Sequence, residues 1–471
     1  MSLLDLHKKM REFIINLSNF VCGYPLFCWL IGGGLFLFIR SRAVPVRRLG
    51  AAVRSLRAKQ SGEGEITSFQ ALMSAISATV GMGNIAGVAI ALVVGGPGAI
   101  FWMWVSALLG MATKFFEGTL TVMYKGRNDK GEARGGPMYV ITRGLGSRYR
   151  PLAVMFASAA LIGCLSVMQA NQFVEAFCTV FLPGAGAAGA ASVAASGAAG
   201  AGGIAAGSAV APFWVRFVIG IVMTAIVAVV VVGGIKRISK VASRIVPAMV
   251  ALYFALVLLV IVLHFRELPR VFGSIFAGAF NFKAGLGAFA AVAITGARRA
   301  MLVNEAGVGT AMMMHGASKN EKPVREGFVA MLGPAIDSGF VCTLTAIPIL
   351  IADCYHVEGV KGLSVALQSF DVLIPVAGRY LLMVLVTVFA FSTMFSYSYY
   401  GRTCSEYLFG KDKARYYDWF YLAMILVASV ITLDVAVSLM DLAFALMSVP
   451  TMFAVFKLSP KVLKALREFK E

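Results

Sequence analysis

Residues 69–104 read FQALMSAISATVGMGNIAGVAIALVVGGPGAIFWMW. The stretch is apolar throughout and longer than the roughly 20 residues that a helix needs to cross the hydrocarbon core of a bilayer. Its middle does not suit an uninterrupted span. Gly81, Gly83 and Gly87 surround Asn84, within a run of small polar residues that includes Ser74, Ser77 and Thr79. Glycine is the poorest helix former after proline, so the helix is expected to open at Gly81-Met82-Gly83-Asn84. Opened backbone at membrane depth is tolerated only where it is buried in protein or lines a polar cavity. A helix broken in this way offers N–H groups to a carboxylate and carbonyls to a cation. The competing explanation is close helix packing through Gly83 and Gly87, which have the small-xxx-small spacing. It does not account for an amide between two glycines.

The rest of the chain is of the same kind. Of its 471 residues, 59% are hydrophobic and 14% charged, and the mean hydropathy is +0.82. An all-α polytopic membrane protein is expected. A net charge of +19 would suggest nucleic acid in a soluble protein. Here the cations sit in short segments between apolar runs, as the positive-inside rule produces, so no nucleic-acid partner is expected. Cys22, Cys28, Cys164, Cys178, Cys342, Cys354 and Cys404 show neither CxxC nor metal spacing and read as small hydrophobes. His7, His264, His315 and His356 form no metal pattern, and neither a P-loop nor a nucleophile elbow appears, which disfavours an enzyme. A channel is disfavoured because no filter sequence repeats.

Apolar runs give about eleven helices, near 24–40, 69–95, 97–124, 152–183, 213–234, 243–264, 281–300, 324–353, 377–401, 416–433 and 436–457. The N-terminal cations followed by an apolar run imitate a signal peptide. No small-x-small site follows, so this run reads as a retained helix. Between Arg40 and Lys59 the chain carries seven cations and no acid. That loop should be cytoplasmic, with the N-terminus outside. Alternation then places Lys125–Arg150, Lys236–Arg244, Arg298–Arg325, Arg402–Arg415 and the tail from Lys457 on the same side. The protein is expected in the cell (inner) membrane with its C-terminus cytoplasmic.

Residues 183–211 are Ala/Gly/Ser low complexity and read as a flexible external loop; a further Ala-rich helix is the alternative. The seventh run repeats the oddity of the second. It has Gly285 and Gly287 early, Thr295-Gly296 late, and a polar segment after it. Residues 1–68 then form a peripheral helix and basic loop, 69–270 and 271–458 form sets of five helices, and 459–471 form a tail. An odd count makes the sets opposite in orientation, and each opens with an interrupted helix. That is the pattern of an inverted-repeat transporter.

The segments SFQALMSAISATVGMGNIAGVAIAL, GGPGAIFWMW, GMATKFFEGTL, GGPMYVI, NEAGVGTA and FAFSTMFSYSYYG together resemble the alanine or glycine:cation symporters, also called sodium:alanine symporters. The resemblance runs from about Gly23 to Leu458. It implies a LeuT-type core of 5+5 helices plus the N-terminal one, and Na⁺-coupled symport of a small neutral amino acid. This chain departs from the family at Met82, Ala300, Tyr397 and Thr451, where Thr, Gly, Trp and Asn are usual. A hydroxyl-bearing ring at Tyr397 would alter the wall of the substrate pocket.

An α-amino acid carboxylate needs N–H donors at a positive helix end, which Met82 and Gly83 would supply. A Na⁺ ion prefers oxygen ligands. Asn84, with Thr79 nearby, could hold one ion beside that carboxylate. The resemblance implies a second, between the carbonyls of Ser77 and Val80 and the hydroxyls of Ser392 and Thr393. The bland alternative for those hydroxyls is bonding back to a carbonyl one turn earlier. Gln169 and Phe173 are expected to contact substrate, beside Asn171 and Gln172. Glu117 is expected to pair with Lys114. Glu175 and Asp337 are the acids through which H⁺ could replace Na⁺. Arg299 and Glu305 are expected to form a cytoplasmic gate by exchanging partners. The lipid bilayer and the amino acid are the expected partners, and the sequence carries no signal for an oligomeric state.

Overall fold

The computed structural model describes residues 3–58, 62–129, 131–182, 211–281, 285–356, 362–431 and 434–469. The Ala/Gly-rich stretch, except Ala211, lies outside them. Eight of the described helices are long and apolar enough to cross a membrane, or nine if one bent pair counts as a span.

The first span, α1 (Lys9–Arg40), precedes the bent pair α2 (Ser68–Thr79) and α3 (Met82–Gly95). Next come α4 (Gly98–Met123), the hairpin β1 (Gly126–Arg127) and β2 (Ala133–Arg134), α5 (Arg150–Gly163), α6 (Val167–Phe181), α7 (Phe213–Val231) and α8 (Gly234–Leu263). A short helix not expected from the sequence, α9 (Leu268–Ala279), leads to the second half. That half contains α10 (Leu286–Asn304), α11 (Thr310–Gly316) and α12 (Pro323–Ala352), then another unexpected helix, α13 (Leu363–Leu373). It closes with α14 (Gly378–Phe409), α15 (Lys411–Val430) and α16 (Asp434–Glu468). Every apolar run therefore has a helix. α10 and α15 are not among the eight spans, so the count of eleven crossings is not established.

The halves interlock. α4 packs along α10 and α12, α5 along α16, and α8 against both α2 and α14. Thr295-Gly296, expected from the sequence to interrupt its helix, lies inside unbroken α10. Its role is packing, because a Cβ on Gly296 would overlap the Ala99 carbonyl. Gly296→Val is therefore expected to destabilise the protein by about 1–3 kcal/mol, the usual cost of overpacking, seen as a lower unfolding temperature in detergent.

Most of the basic segments converge on one end of the bundle. Lys125 Nζ donates to the carbonyls of Ser318 (2.5 Å) and Asn320 (3.1 Å). Arg134, 5% exposed, pairs with Glu406 (2.9 Å), Glu132 (3.0 Å) and Glu65. Lys411 reaches Glu132 (2.6 Å) and Lys461 reaches the Tyr124 hydroxyl (3.0 Å). The hydrogen bond from Lys411, with help from Asn128 and Arg134, holds the Glu132 carboxyl down to about 2. Arg298 and Arg299 do not belong to this cluster. They lie within α10 beside Ala297, whose carbonyl accepts from Ser106 in the half of α4 remote from Lys125.

Candidate functional site

The first break falls at Val80 and Gly81, both extended (φ −76°, ψ 95° and φ −150°, ψ −156°). Met82 and Gly83, expected within the opened segment, instead form the first turn of α3. Their N–H groups have no partner within the helix and face the break, as at any helix start. Asn84 makes the break. Its Oδ1 accepts from the Gly81 N–H (3.0 Å), the donor that would otherwise close a turn onto the Ser77 carbonyl. The Ser77 carbonyl is thereby released from the helical ladder. Gly83 and Gly87 do face α10, but Val303 Cγ2 would stand 4.0 and 3.5 Å from their added Cβ atoms, so the contact is ordinary rather than tight.

Around this break the structure gathers most of the expected ion-binding residues. Ser77 Oγ donates to the Ser392 carbonyl (2.7 Å), and Gly81 lies against Thr393 Oγ1. The Ser392 and Thr393 hydroxyls both donate back to the Phe389 carbonyl (3.0 and 3.1 Å), the bland alternative for such hydroxyls. Each oxygen keeps lone pairs that can accept a cation. On the other flank, Asn84 Nδ2 donates to Asp337 Oδ1, with the Thr79 hydroxyl beside the same carboxyl. Asp337 Oδ2 is buried without a hydrogen-bond partner among the described residues. Hydroxyls, released carbonyls, an amide and a carboxylate make an all-oxygen donor set, which suits Na⁺. Glu175, the other acid considered for H⁺, is exposed.

The second break runs from Glu305 to Gly309, C-terminal to the glycines that suggested it. Glu305 (φ 51°), Gly307 (φ 90°) and Gly309 (φ 94°) are left-handed, which ends α10 before α11 resumes. A non-glycine residue in that region costs about 1–3 kcal/mol and persists only when its surroundings fix it. Side chains do so here. Lys114 Nζ donates to the Glu305 carbonyl (3.1 Å) and Glu117 Oε1 accepts the Gly307 N–H (2.8 Å). Thr451 Oγ1 donates to the Val308 carbonyl (3.0 Å), and Asn304 Oδ1 accepts the Ala306 N–H (3.0 Å). Lys114 and Glu117 are 3.5 Å apart, 4% and 1% exposed. Expected from the sequence to form a helix-face pair, they also clamp opened backbone.

Glu305 is buried at 2% exposure. Its carboxylate accepts from the Tyr397 hydroxyl and from Thr310 Oγ1 (2.5 Å). The structure therefore does not bring Arg299 and Glu305 together as a gate. Arg299 instead lies within electrostatic reach of Arg298 and of Asp441 on α16. Both arginines are inside a helix, not at the basic end where the sequence placed them. The NEAGVG motif could have located this break, since only its spacing of glycines marks it.

On α6, Gln169 and Gln172 carry buried Oε1 atoms without partners among the described residues, and Phe173 packs edge-on against Phe391 of α14 (5.5 Å). Asn171 serves packing between helices instead, since its Nδ2 donates to the carbonyls of Ala428 (3.0 Å) and Ile431 (2.8 Å) at the end of α15.

Two half-broken helices facing each other inside a bundle of this topology define a LeuT-type fold. A solved structure described as MhsT in complex with L-phenylalanine is similar to it, with a TM-score of 0.57, 15% identity, and coverage of 85% of this chain and 90% of that one. The chain belongs to the sodium:alanine symporter family, whose profile matches residues 7–471. Among its relatives is the sodium/alanine symporter AgcS of Methanococcus maripaludis, 34% identical over 97% of this chain and 96% of that protein. Another is the Bacillus subtilis protein described as a probable sodium/glutamine symporter, GlnT, 31% identical over 98% and 91%.

Proposed function

We propose that this protein imports a small neutral amino acid, alanine or glycine, together with Na⁺ by alternating access. The observation that carries this reading is the first break. The first-turn N–H groups of Met82 and Gly83 suit a carboxylate. The released Ser77 carbonyl, the Val80 carbonyl and the Ser392 and Thr393 hydroxyls suit one cation, and Thr79 and Asn84 suit another. The Gln169 Oε1, without a partner among the described residues, is an acceptor for the substrate ammonium, with Phe173 and Tyr397 as walls. Interactions remade in the cycle are the electrostatic attraction of Arg299 to Asp441 and the hydrogen bond of Tyr397 to Glu305. With the basic end cytoplasmic, the arginines guard the external side.

The test is uptake of radiolabelled L-alanine into proteoliposomes, with and without an inward Na⁺ gradient, with glycine, D-alanine and L-glutamine as competitors. Na⁺-dependent accumulation inhibited by glycine is expected. Accumulation driven by a pH gradient alone would transfer the coupling to H⁺. Inhibition by glutamine alone would assign a larger substrate to the pocket beside Tyr397.

A further inference from the structure

At the basic end of the bundle, the end of α7 meets α14 and α15 around a cavity of about 260 Å³. Its lining contains the cations Arg402, Lys411 and Arg415, the acids Asp412 and Asp418, and an apolar side of Val232, Trp419 and Leu422. Two of the cations are engaged. Arg402 bonds Asp418 (2.8 Å) and lies near Glu406 (3.6 Å), and Lys411 bonds Glu132 (2.6 Å). Arg415 is exposed and has no ion pair or hydrogen bond among the described residues. Asp418 Oδ1 is buried in the same lining and likewise has no hydrogen-bond partner. The cavity therefore presents one unneutralised donor and one unsatisfied acceptor.

The setting is the edge of a bilayer. Val232 directly follows the last turn of α7, and Tyr416, Trp419 and Phe420 are 74%, 64% and 50% exposed on the first turns of α15. Amphipathic rings such as those of Tyr416 and Trp419 mark the headgroup level. Lys236, Arg237 and Lys240 add exposed charge at the adjoining start of α8. Basic pockets between helices on the cytoplasmic side take anionic headgroups.

We infer that this cavity seats the headgroup of an anionic phospholipid bearing hydroxyls, as phosphatidylglycerol does. Arg415 holds the phosphodiester, a headgroup hydroxyl donates to Asp418 Oδ1, and the acyl chains run along Val232, Trp419 and Leu422. A zwitterionic lipid can satisfy both groups but brings no net negative charge to the exposed Lys236, Arg237 and Lys240 beside the cavity.

The test is thermal unfolding and native mass spectrometry of the full chain in detergent. Added probes are phosphatidylglycerol, phosphatidylethanolamine, phosphatidylcholine or inorganic phosphate. Phosphatidylglycerol alone should raise the unfolding temperature and remain bound. Arg415→Ala should weaken its binding roughly fivefold, the factor that corresponds to about 1 kcal/mol for one basic residue at an anionic surface. Both variants used are exposed, so their unfolding temperature in phosphatidylcholine should match that of the unaltered chain. Lys413→Ala, on the same helix but outside the lining, should bind phosphatidylglycerol normally. Equal loss in Lys413→Ala would reduce the effect to general surface charge and overturn the site. Equal stabilisation by phosphatidylethanolamine would overturn the headgroup chemistry. A full effect from phosphate alone would make the cavity a small-anion site and not a lipid seat.

Discussion

Replacing Glu117 with alanine should cost about 3–5 kcal/mol and abolish uptake. Removing one partner of a buried ion pair leaves the other charge uncompensated, and here Lys114 is 4% exposed. The same change orphans the Gly307 N–H, bonded to Glu117 Oε1 at 2.8 Å, at about 1–3 kcal/mol for a buried unsatisfied donor. Glu117→Gln keeps an acceptor and should lose less. The double variant Lys114→Met/Glu117→Leu removes both charges and should regain much of the stability in detergent unfolding. It should not regain transport, because the carbonyl of Glu305 and the N–H of Gly307 still lack their partners. Recovery of uptake in the double variant would show that the pair serves only to balance charge.

The second large effect is expected at Asn84, on the Na⁺ dependence of uptake. Its amide does two things: Oδ1 takes the Gly81 N–H and Nδ2 donates to Asp337. Asn84→Ala lets Gly81 bond back to Ser77 and continue the helix, withdrawing the carbonyl proposed as an ion ligand. The half-saturating Na⁺ concentration should rise at least tenfold, the equivalent of about 1.4 kcal/mol. Maximal uptake at saturating Na⁺ should fall much less. Asn84→Asp retains the acceptor but opposes a second carboxylate at Asp337, so it should not rescue. An unchanged Na⁺ curve in Asn84→Ala would remove this break from the ion path.

What the sequence shows and what it hides follow the range of the interactions involved. The helices were legible because an apolar run long enough to cross a bilayer has few other structures available to it. The first break was legible because a local contact makes it, Asn84 capping a residue three positions away. The second was misplaced within its helix because long-range contacts make it. Gly285, Gly287 and Gly296 lie upstream, whereas the turn occurs where Lys114, Glu117 and Thr451 reach in from α4 and α16. For the same reason the sequence points Glu305 to Arg299, its near neighbour on the chain. Its actual partner, Tyr397, comes from a helix 92 residues away.

The two breaks are unequally fastened. Side chains from α4, α14 and α16 bolt the second one from three directions. The first is tied across to α14 by Ser77 and to α12 by Asn84. A machine built this way has a stiff bracket and a compliant joint. The elements that move in such cycles are drawn from the less stable parts of a fold, so work done by the ion should be delivered at Val80 and Gly81. The α10–α4 assembly would then act as the frame against which α2 swings.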